Sequence, residues 1–204
     1  MENPVYPGRI AFSLITQVVC REEGTRTVAK GATVWFTGLP SSGKSTIAHQ
    51  VEKLLREKGR KVEVFDGDVI RKNLCSDLGF SKEDRDTNIK RIAFVCKLMT
   101  RNDVVAIAAA ISPYRETRDY ARSEIGENFI EVYVRAPLAV CKERDVKGLY
   151  KKAISGEIKG FTGIDDPYEE PLNPELILHT DKETEDESVG RVMAELEKRG
   201  HLQQ

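Results

Sequence analysis

Short apolar runs alternate along this chain with stretches whose apolar residues recur at helical spacing. Thr33 to Thr37 is a β-rich run that feeds a glycine-bearing turn, Gly38 to Gly43. From Ser45 to about Lys58, Ile47, Ala48, Val51, Leu54 and Leu55 fall on one helical face, and Gly59 supplies a stop. Lys61 to Asp66 predicts a second strand, followed by Gly67, a helical stretch and a break at Gly79-Phe80-Ser81. Ile89, Ile92, Ala93, Cys96 and Met99 mark one face of a further helix. Val104 to Ile111 is almost wholly apolar, the pattern of a strand covered on both faces in the middle of a parallel sheet. A helix over Tyr114 to Ile125, a strand over Phe129 to Val134 and a helix over Pro137 to about Lys147 continue the alternation, with Pro137 placed in a first helical turn. Strand Leu176 to His179 and helix Thr184 to Lys198, with Val189, Val192, Met193 and Leu196 on one face, complete it. The pattern predicts an α/β fold, a doubly wound, mainly parallel sheet with helices on both faces.

Two stretches depart from the pattern. Gly148 to Pro174 carries four glycines and three prolines, with lysines in its first half and acids in its second, and predicts a long irregular segment of the functional kind. Ile10 to Cys20 is fairly apolar but short and interrupted by Ser13, Thr16 and Gln17, so it reads as a docked element or a connector.

Composition changes the picture only by exclusion. With 204 residues, 40% of them hydrophobic, one enzyme-sized domain is expected. The 32 Lys and Arg balance the 33 Asp and Glu, so no overall field favours nucleic acid or a membrane surface, and any anion site must be built locally. Cys20, Cys75, Cys96 and Cys141 lack metal-ligand pair spacing and read as reduced thiols. Without a leader pattern or a run of about 20 apolar residues, a cytoplasmic protein is expected.

The strongest chemical signal is Gly38-Leu39-Pro40-Ser41-Ser42-Gly43-Lys44-Ser45, a match to G-x-x-x-x-G-K-[ST] between a strand and a helix. The glycines let the backbone wrap closely, so that successive N–H groups and the helix N-terminus face phosphates. Lys44 would then reach the β- and γ-phosphates of a nucleotide and Ser45 would hold Mg²⁺. The motif does not choose between a kinase, a GTPase and an ATPase.

Asp66-Gly67-Asp68 ends the second strand, at the sheet edge where doubly wound folds bind ligands. One carboxylate can accept the proton of an attacking hydroxyl while the other organises Mg²⁺ and its waters, with Asp68 counted in both roles; a polar turn with a helix cap is the alternative. The apolar strand ends at Ser112 rather than at an acid, which leaves this pair as the candidate acidic centre. Arg71, Arg85, Arg91, Arg115 and Arg118 follow successive strands, and two of them flank Asn88. Arginine forks suit a phosphate or sulfate, although each alone is more often a solvated side chain.

Together these stretches resemble adenylylsulfate kinase. The resemblance rests on Gly38 to Thr46, Asp66-Gly67-Asp68-Val69-Ile70-Arg71, Leu78-Gly79-Phe80-Ser81, Arg85 to Arg91, Ile111-Ser112-Pro113-Tyr114-Arg115, Glu143 to Ala153 and Gly156 to Asp165. It covers Gly31 to the C-terminus, implying a kinase domain over 31–204 preceded by an extension or connector over 1–30. It implies transfer of the γ-phosphoryl group of ATP to the 3′-hydroxyl of adenosine 5′-phosphosulfate. Asp68, Arg71, Phe80, Arg85, Asn88, Arg91, Ile111, Ser112, Lys147, Gly160 and Phe161 would surround that acceptor, with Phe80 and Phe161 sandwiching its adenine. Ser112 is also a candidate phosphoserine, with direct in-line transfer ranked above it. Arg144 and Thr180 to Thr184 would neighbour the ATP base, and 148–174 would be a lid. The resemblance further implies a homodimer. Phe12-Ser13, Val18-Val19 and Pro40-Ser41-Ser42 lean toward chains fused to a sulfurylase, making a sulfurylase a candidate partner. The rival readings are a kinase for a nucleoside monophosphate or sugar acid, and a nucleotide-sensing regulatory domain, whose mark would be a degenerate P-loop; here Gly43, Lys44 and Ser45 are intact.

Overall fold

The computed structural model describes residues 29–202. The expectations for Ile10 to Cys20, and for the extension up to residue 28, lie outside the described residues.

Five strands, β1 (Ala32–Thr37), β2 (Val62–Asp66), β3 (Val105–Ala109), β4 (Phe129–Arg135) and β5 (Leu176–His179), form one parallel sheet in the order β2-β3-β1-β4-β5. The helices are α1 (Lys44–Glu57), α2 (Gly67–Lys72), α3 (Lys82–Thr100), α4 (Arg115–Ile125), α5 (Leu138–Arg144), α6 (Leu149–Ile154) and α7 (Glu185–Lys198). Because β1 is central and the chain winds first to one side of it and then to the other, the crevice at its carboxyl end is where a ligand is expected.

Strand alternation sends Ala32, Val34 and Phe36 of β1 to one face, where they pack with Ile47, Val51 and Leu55 of α1 and Val192 and Leu196 of α7. Trp35 goes to the other face, with Ile89, Ile92 and Cys96 of α3 and Ala121 of α4. The central strands are buried on both faces, which is why they read as continuous apolar runs. A third, smaller cluster of Ala136, Cys141, Tyr150, Ala153 and Phe161 lies outside the two main layers and takes in Leu39 of the glycine-rich turn. Cys75, Cys96 and Cys141 are buried free thiols, as expected of reduced cysteines.

Local departures from expectation have local causes. The strand expected over Val104 to Ile111 pairs over 105–109, because the chain turns away toward Ser112, which adopts φ 42°. The helix expected to reach Lys147 ends at Arg144, where Asp145 takes φ 21°; the Asp145 carboxylate instead accepts the amides of Tyr150 and Lys151 at 2.9 and 3.0 Å and starts α6. Pro137 therefore sits at the N-cap of α5, one place before its first turn. The segment expected to be irregular from Gly148 begins with the helix α6, whose short apolar face is interrupted by Lys151 and Lys152.

Candidate active site

The turn after β1 wraps tightly because its backbone leaves side-chain space. Gly38 adopts φ 150° and a Cβ there would lie 2.4 Å from the Val134 carbonyl oxygen, while Gly43 at φ 103° opens α1 without a side-chain cap. The first amides of α1 are thus left to a ligand. The turn is tied to the end of β3 by the Thr37 hydroxyl, which donates to the Ile111 carbonyl at 2.8 Å.

Lys44 is buried and donates to the carbonyls of Gly38 and Leu39 at 3.0 and 2.7 Å, folded back over its own loop. Burial pulls its pKa down to about 8. Ser45, exposed beside it, donates to Asp66 at 2.7 Å, and the other Asp66 oxygen accepts the Asp68 amide at 2.9 Å, capping α2. Burial opposes ionisation of Asp66, yet the Ser45 hydroxyl, the Asp68 and Val69 amides and the Lys147 charge outweigh it, so its pKa lies below the ordinary carboxylate value. Asp66 is thus a helix cap, the alternative reading of the acidic turn, and it also faces the loop serine. Asp68 projects into solvent and pairs with Lys147, which arrives from the end of α5. Among the described residues no group of three or more His, Cys, Asp or Glu side chains forms a metal cage. An ion here would be held by one or two protein oxygens with phosphate and water completing its shell, the habit of Mg²⁺.

On the other side of the crevice, Phe80 is 68% exposed, with the Arg71 guanidinium 4.7 Å and the Arg85 guanidinium 5.8 Å from its ring centre. Arg71 also donates to the Gly79 carbonyl. Arg85 is buried; it donates to the Phe80 carbonyl at 3.0 Å, the Gly160 carbonyl at 2.5 Å and the Thr162 hydroxyl at 3.1 Å. One guanidinium therefore joins both aromatic-bearing segments. Asn88, one turn further along α3, is buried with its Oδ1 unpartnered, an acceptor waiting for a donor. Phe161 is buried and meets the Tyr150 ring edge-on at 5.0 Å.

The five arginines thus divide. Arg71 and Arg85 stand at Phe80, whereas Arg91 forks onto Asp77 at 2.6 and 2.8 Å and onto the Leu74 carbonyl. Arg118 is buried between Glu131 at 2.9 Å, the Ser112 carbonyl and the Glu169 carbonyl at 2.6 Å each, and Arg115 donates to the Glu170 carbonyl at 2.8 Å. Arg115 and Arg118 hold the 169–170 segment on α4 and do not form the anion clamp their spacing suggested. The Ser112 hydroxyl is buried, accepting from the Trp35 indole at 3.1 Å. Arg144 donates to Thr180 at 3.1 and 2.5 Å, and the Thr180 hydroxyl donates to the Ser42 carbonyl at 2.8 Å, behind the phosphate loop.

The family model described as adenylylsulphate kinase matches residues 30–179. The chain belongs to the adenylylsulphate kinase family. An adenylyl-sulfate kinase of Rippkaea orientalis is 61% identical over 173 residues, 85% of this chain and 95% of that protein. A probable bifunctional SAT/APS kinase 2 of Sorangium cellulosum is 54% identical over 172 residues, 84% of this chain but 29% of that longer one. The solved structure of the Mycobacterium tuberculosis APS kinase CysC in complex with AMPPNP and APS superposes with a TM-score of 0.80 at 46% identity, covering 83% of this chain and 99% of that one. No described helix is long and apolar enough to cross a membrane.

This adenylylsulphate kinase family member also engages Asp166 and Tyr168, which were not among the candidate residues. Tyr114 donates to the Asp166 carboxylate at 3.1 and 3.2 Å, Asp166 lies 3.7 Å from Arg85, and Tyr168 meets the Thr37 hydroxyl at 2.9 Å. These bonds pin 160–170 across the crevice. Only the clustering of acids and aromatics between Phe161 and Glu170 hinted at them.

Proposed function

We propose that this protein is an adenylyl-sulfate kinase that transfers the γ-phosphoryl group of ATP to the 3′-hydroxyl of adenosine 5′-phosphosulfate. The observation that carries the reading is the exposed Phe80 ring flanked by Arg71 and Arg85, in a chain whose phosphate loop is intact. A stacking surface beside two cations fits an acceptor that is both aromatic and anionic. A sugar acid would find no use for the ring.

The donor sits on Gly38, Leu39, Pro40, Ser41, Ser42, Gly43, Lys44, Ser45 and Thr46, with Arg144 and the Thr180 loop toward its base. The oxygens of Ser45 and Asp66 fit Mg²⁺, which when bound neutralises phosphate charge. Asp68 replaces neither; its exposed carboxylate, paired with Lys147, is the base. The acceptor oxygen attacks the γ-phosphorus in line, its proton passes to Asp68, and the bond from that phosphorus to the β-γ bridging oxygen breaks, leaving ADP. Lys44 leaves the loop carbonyls to stabilise the transferring group. Direct in-line transfer ranks above a phosphoserine at Ser112, whose buried hydroxyl is engaged by the Trp35 indole. Arg71, Arg85, Asn88, Ile111, Gly160 and Phe161 shape the acceptor pocket, and Lys147 with the 148–174 lid closes it against water. We assign residues 31–204 to the kinase domain, expect a cytoplasmic homodimer, and count a sulfurylase among its partners because one relative carries both activities in its name.

The test is ADP release from MgATP with and without adenosine 5′-phosphosulfate. Release that depends on the acceptor is expected; greater turnover with a nucleoside monophosphate or a sugar acid would overturn the assignment.

A further inference from the structure

The third apolar cluster contains Leu39 from the phosphate loop and Phe161 from the acceptor side, and Tyr150 stands between them. Its side chain is 1% exposed. The phenol donates to the Pro40 carbonyl at 3.1 Å, and the ring meets Phe161 at 5.0 Å with an interplanar angle of 79°. Burial pushes the phenol's pKa up, so it stays a donor throughout the working pH range. Its amide is held by Asp145, which fixes where the ring can go.

We propose that Tyr150 is a positioning residue that couples the two nucleotide sites, so that occupation of the phosphate loop sets the ring of Phe161 for the acceptor. The inference rests on the reading of Phe161 as an acceptor contact. The chain of contacts is continuous. Lys44 donates to the Leu39 carbonyl, one peptide before the Pro40 carbonyl that Tyr150 holds. When Lys44 turns to a γ-phosphate, that carbonyl is released and the Leu39-Pro40 segment is free to shift. Tyr150 follows Pro40 through its hydroxyl and Leu39 through the shared apolar cluster. Phe161 follows the Tyr150 ring. Side chains in contact, as Tyr150 and Phe161 are, pass such a shift from one to the other. By linkage, the acceptor must tighten the donor by the same factor.

The experiment measures the dissociation constant of the non-hydrolysable analogue AMPPNP with Mg²⁺, alone and at saturating adenosine 5′-phosphosulfate. In the unsubstituted protein the ratio should be about fivefold or more. Tyr150→Phe keeps the ring and removes the bond to Pro40; the ratio should fall to within about twofold of one, in a protein whose thermal melt shows it folded. Phe161→Leu severs the same path from the other end, and should lower the ratio equally even if the first variant folds poorly. A residue that merely supports the fold would weaken AMPPNP equally with and without the acceptor and leave the ratio unchanged. An unchanged ratio in both variants, or a ratio of one in the unsubstituted protein, overturns the coupling. Failure of the unsubstituted protein to bind adenosine 5′-phosphosulfate at all would overturn the acceptor reading itself, and is seen before any variant is made.

Discussion

Ser45 and Asp66 share a hydrogen bond of 2.7 Å between the start of α1 and the end of β2, so the phosphate loop and the acidic turn are one unit. Asp66 is spent on that bond and on the α2 cap, whereas Asp68 is exposed and held only by Lys147. Their variants should therefore fail differently. Asp68→Asn is expected to lower kcat by about 10²–10⁴-fold with little change in AMPPNP affinity, the loss of a general base. Asp66→Ala should raise the KM for MgATP and lower the melting temperature as well, since the cap it supplies is worth about 1 kcal/mol. Steady-state kinetics on the pair, with melting curves, separates the roles; equal kcat losses and no shift in KM would reverse them.

Lys44 makes donor binding depend on pH in a definite direction. Its pKa in the free protein is about 8, and the phosphates of a bound nucleotide raise it. Below pH 8 the ammonium is already present and affinity is flat. Above pH 8 each binding event must take up a proton, so affinity for the ATP analogue falls by up to about tenfold per pH unit. Calorimetry at pH 9 in buffers of different ionisation enthalpy should show proton uptake approaching one. Lys44→Ala should remove turnover while the domain still melts cooperatively.

The doubly wound architecture was legible because burial on both faces writes continuous apolar runs at β1, β3 and β4, and amphipathic helices mark the layers. The donor half of the site was legible too, since a phosphate loop is a local backbone device whose glycines are dictated by conformation. The acceptor half was legible mainly by resemblance. A side chain such as Arg85, which reaches from α3 to Gly160 and Thr162 across 75 or more residues, has no local signature that distinguishes it from Arg118, whose guanidinium is consumed by Glu131 and two carbonyls. Tyr150 was hidden for the same reason: its partners, Pro40 and Phe161, are distant or of ordinary type. Spacing shows which residues share a face; it does not show which long side chains are already engaged.

Phe80 should matter to the acceptor and to nothing else. Being 68% exposed, it contributes little to the core, and its backbone carbonyl will still receive Arg85 after truncation. Phe80→Ala is expected to leave the melting temperature unchanged and the KM for ATP within about twofold while raising the KM for adenosine 5′-phosphosulfate by about 5–150-fold, the range for a lost base-stacking contact of about 1–3 kcal/mol. An unchanged acceptor KM would mean that the ring does not stack on the substrate.

Arg118 should behave in the opposite way, as a residue of stability. It is 2% exposed, and it ties α4 to Glu131 of β4, to the Ser112 turn and to Glu169. Replacing it with methionine keeps most of the volume but leaves the buried Glu131 with only the longer bond from Arg122 at 3.2 Å. Removing one partner of such a pair costs about 3–5 kcal/mol, because the remaining charge is stranded away from water. For a domain of this size that corresponds to a fall in melting temperature of about 6–20 °C. Arg118→Met with Glu131→Gln removes the stranded charge and should recover part of the loss; a double variant no more stable than the single one would show that the two carbonyl bonds, and not the ion pair, carry the stabilisation.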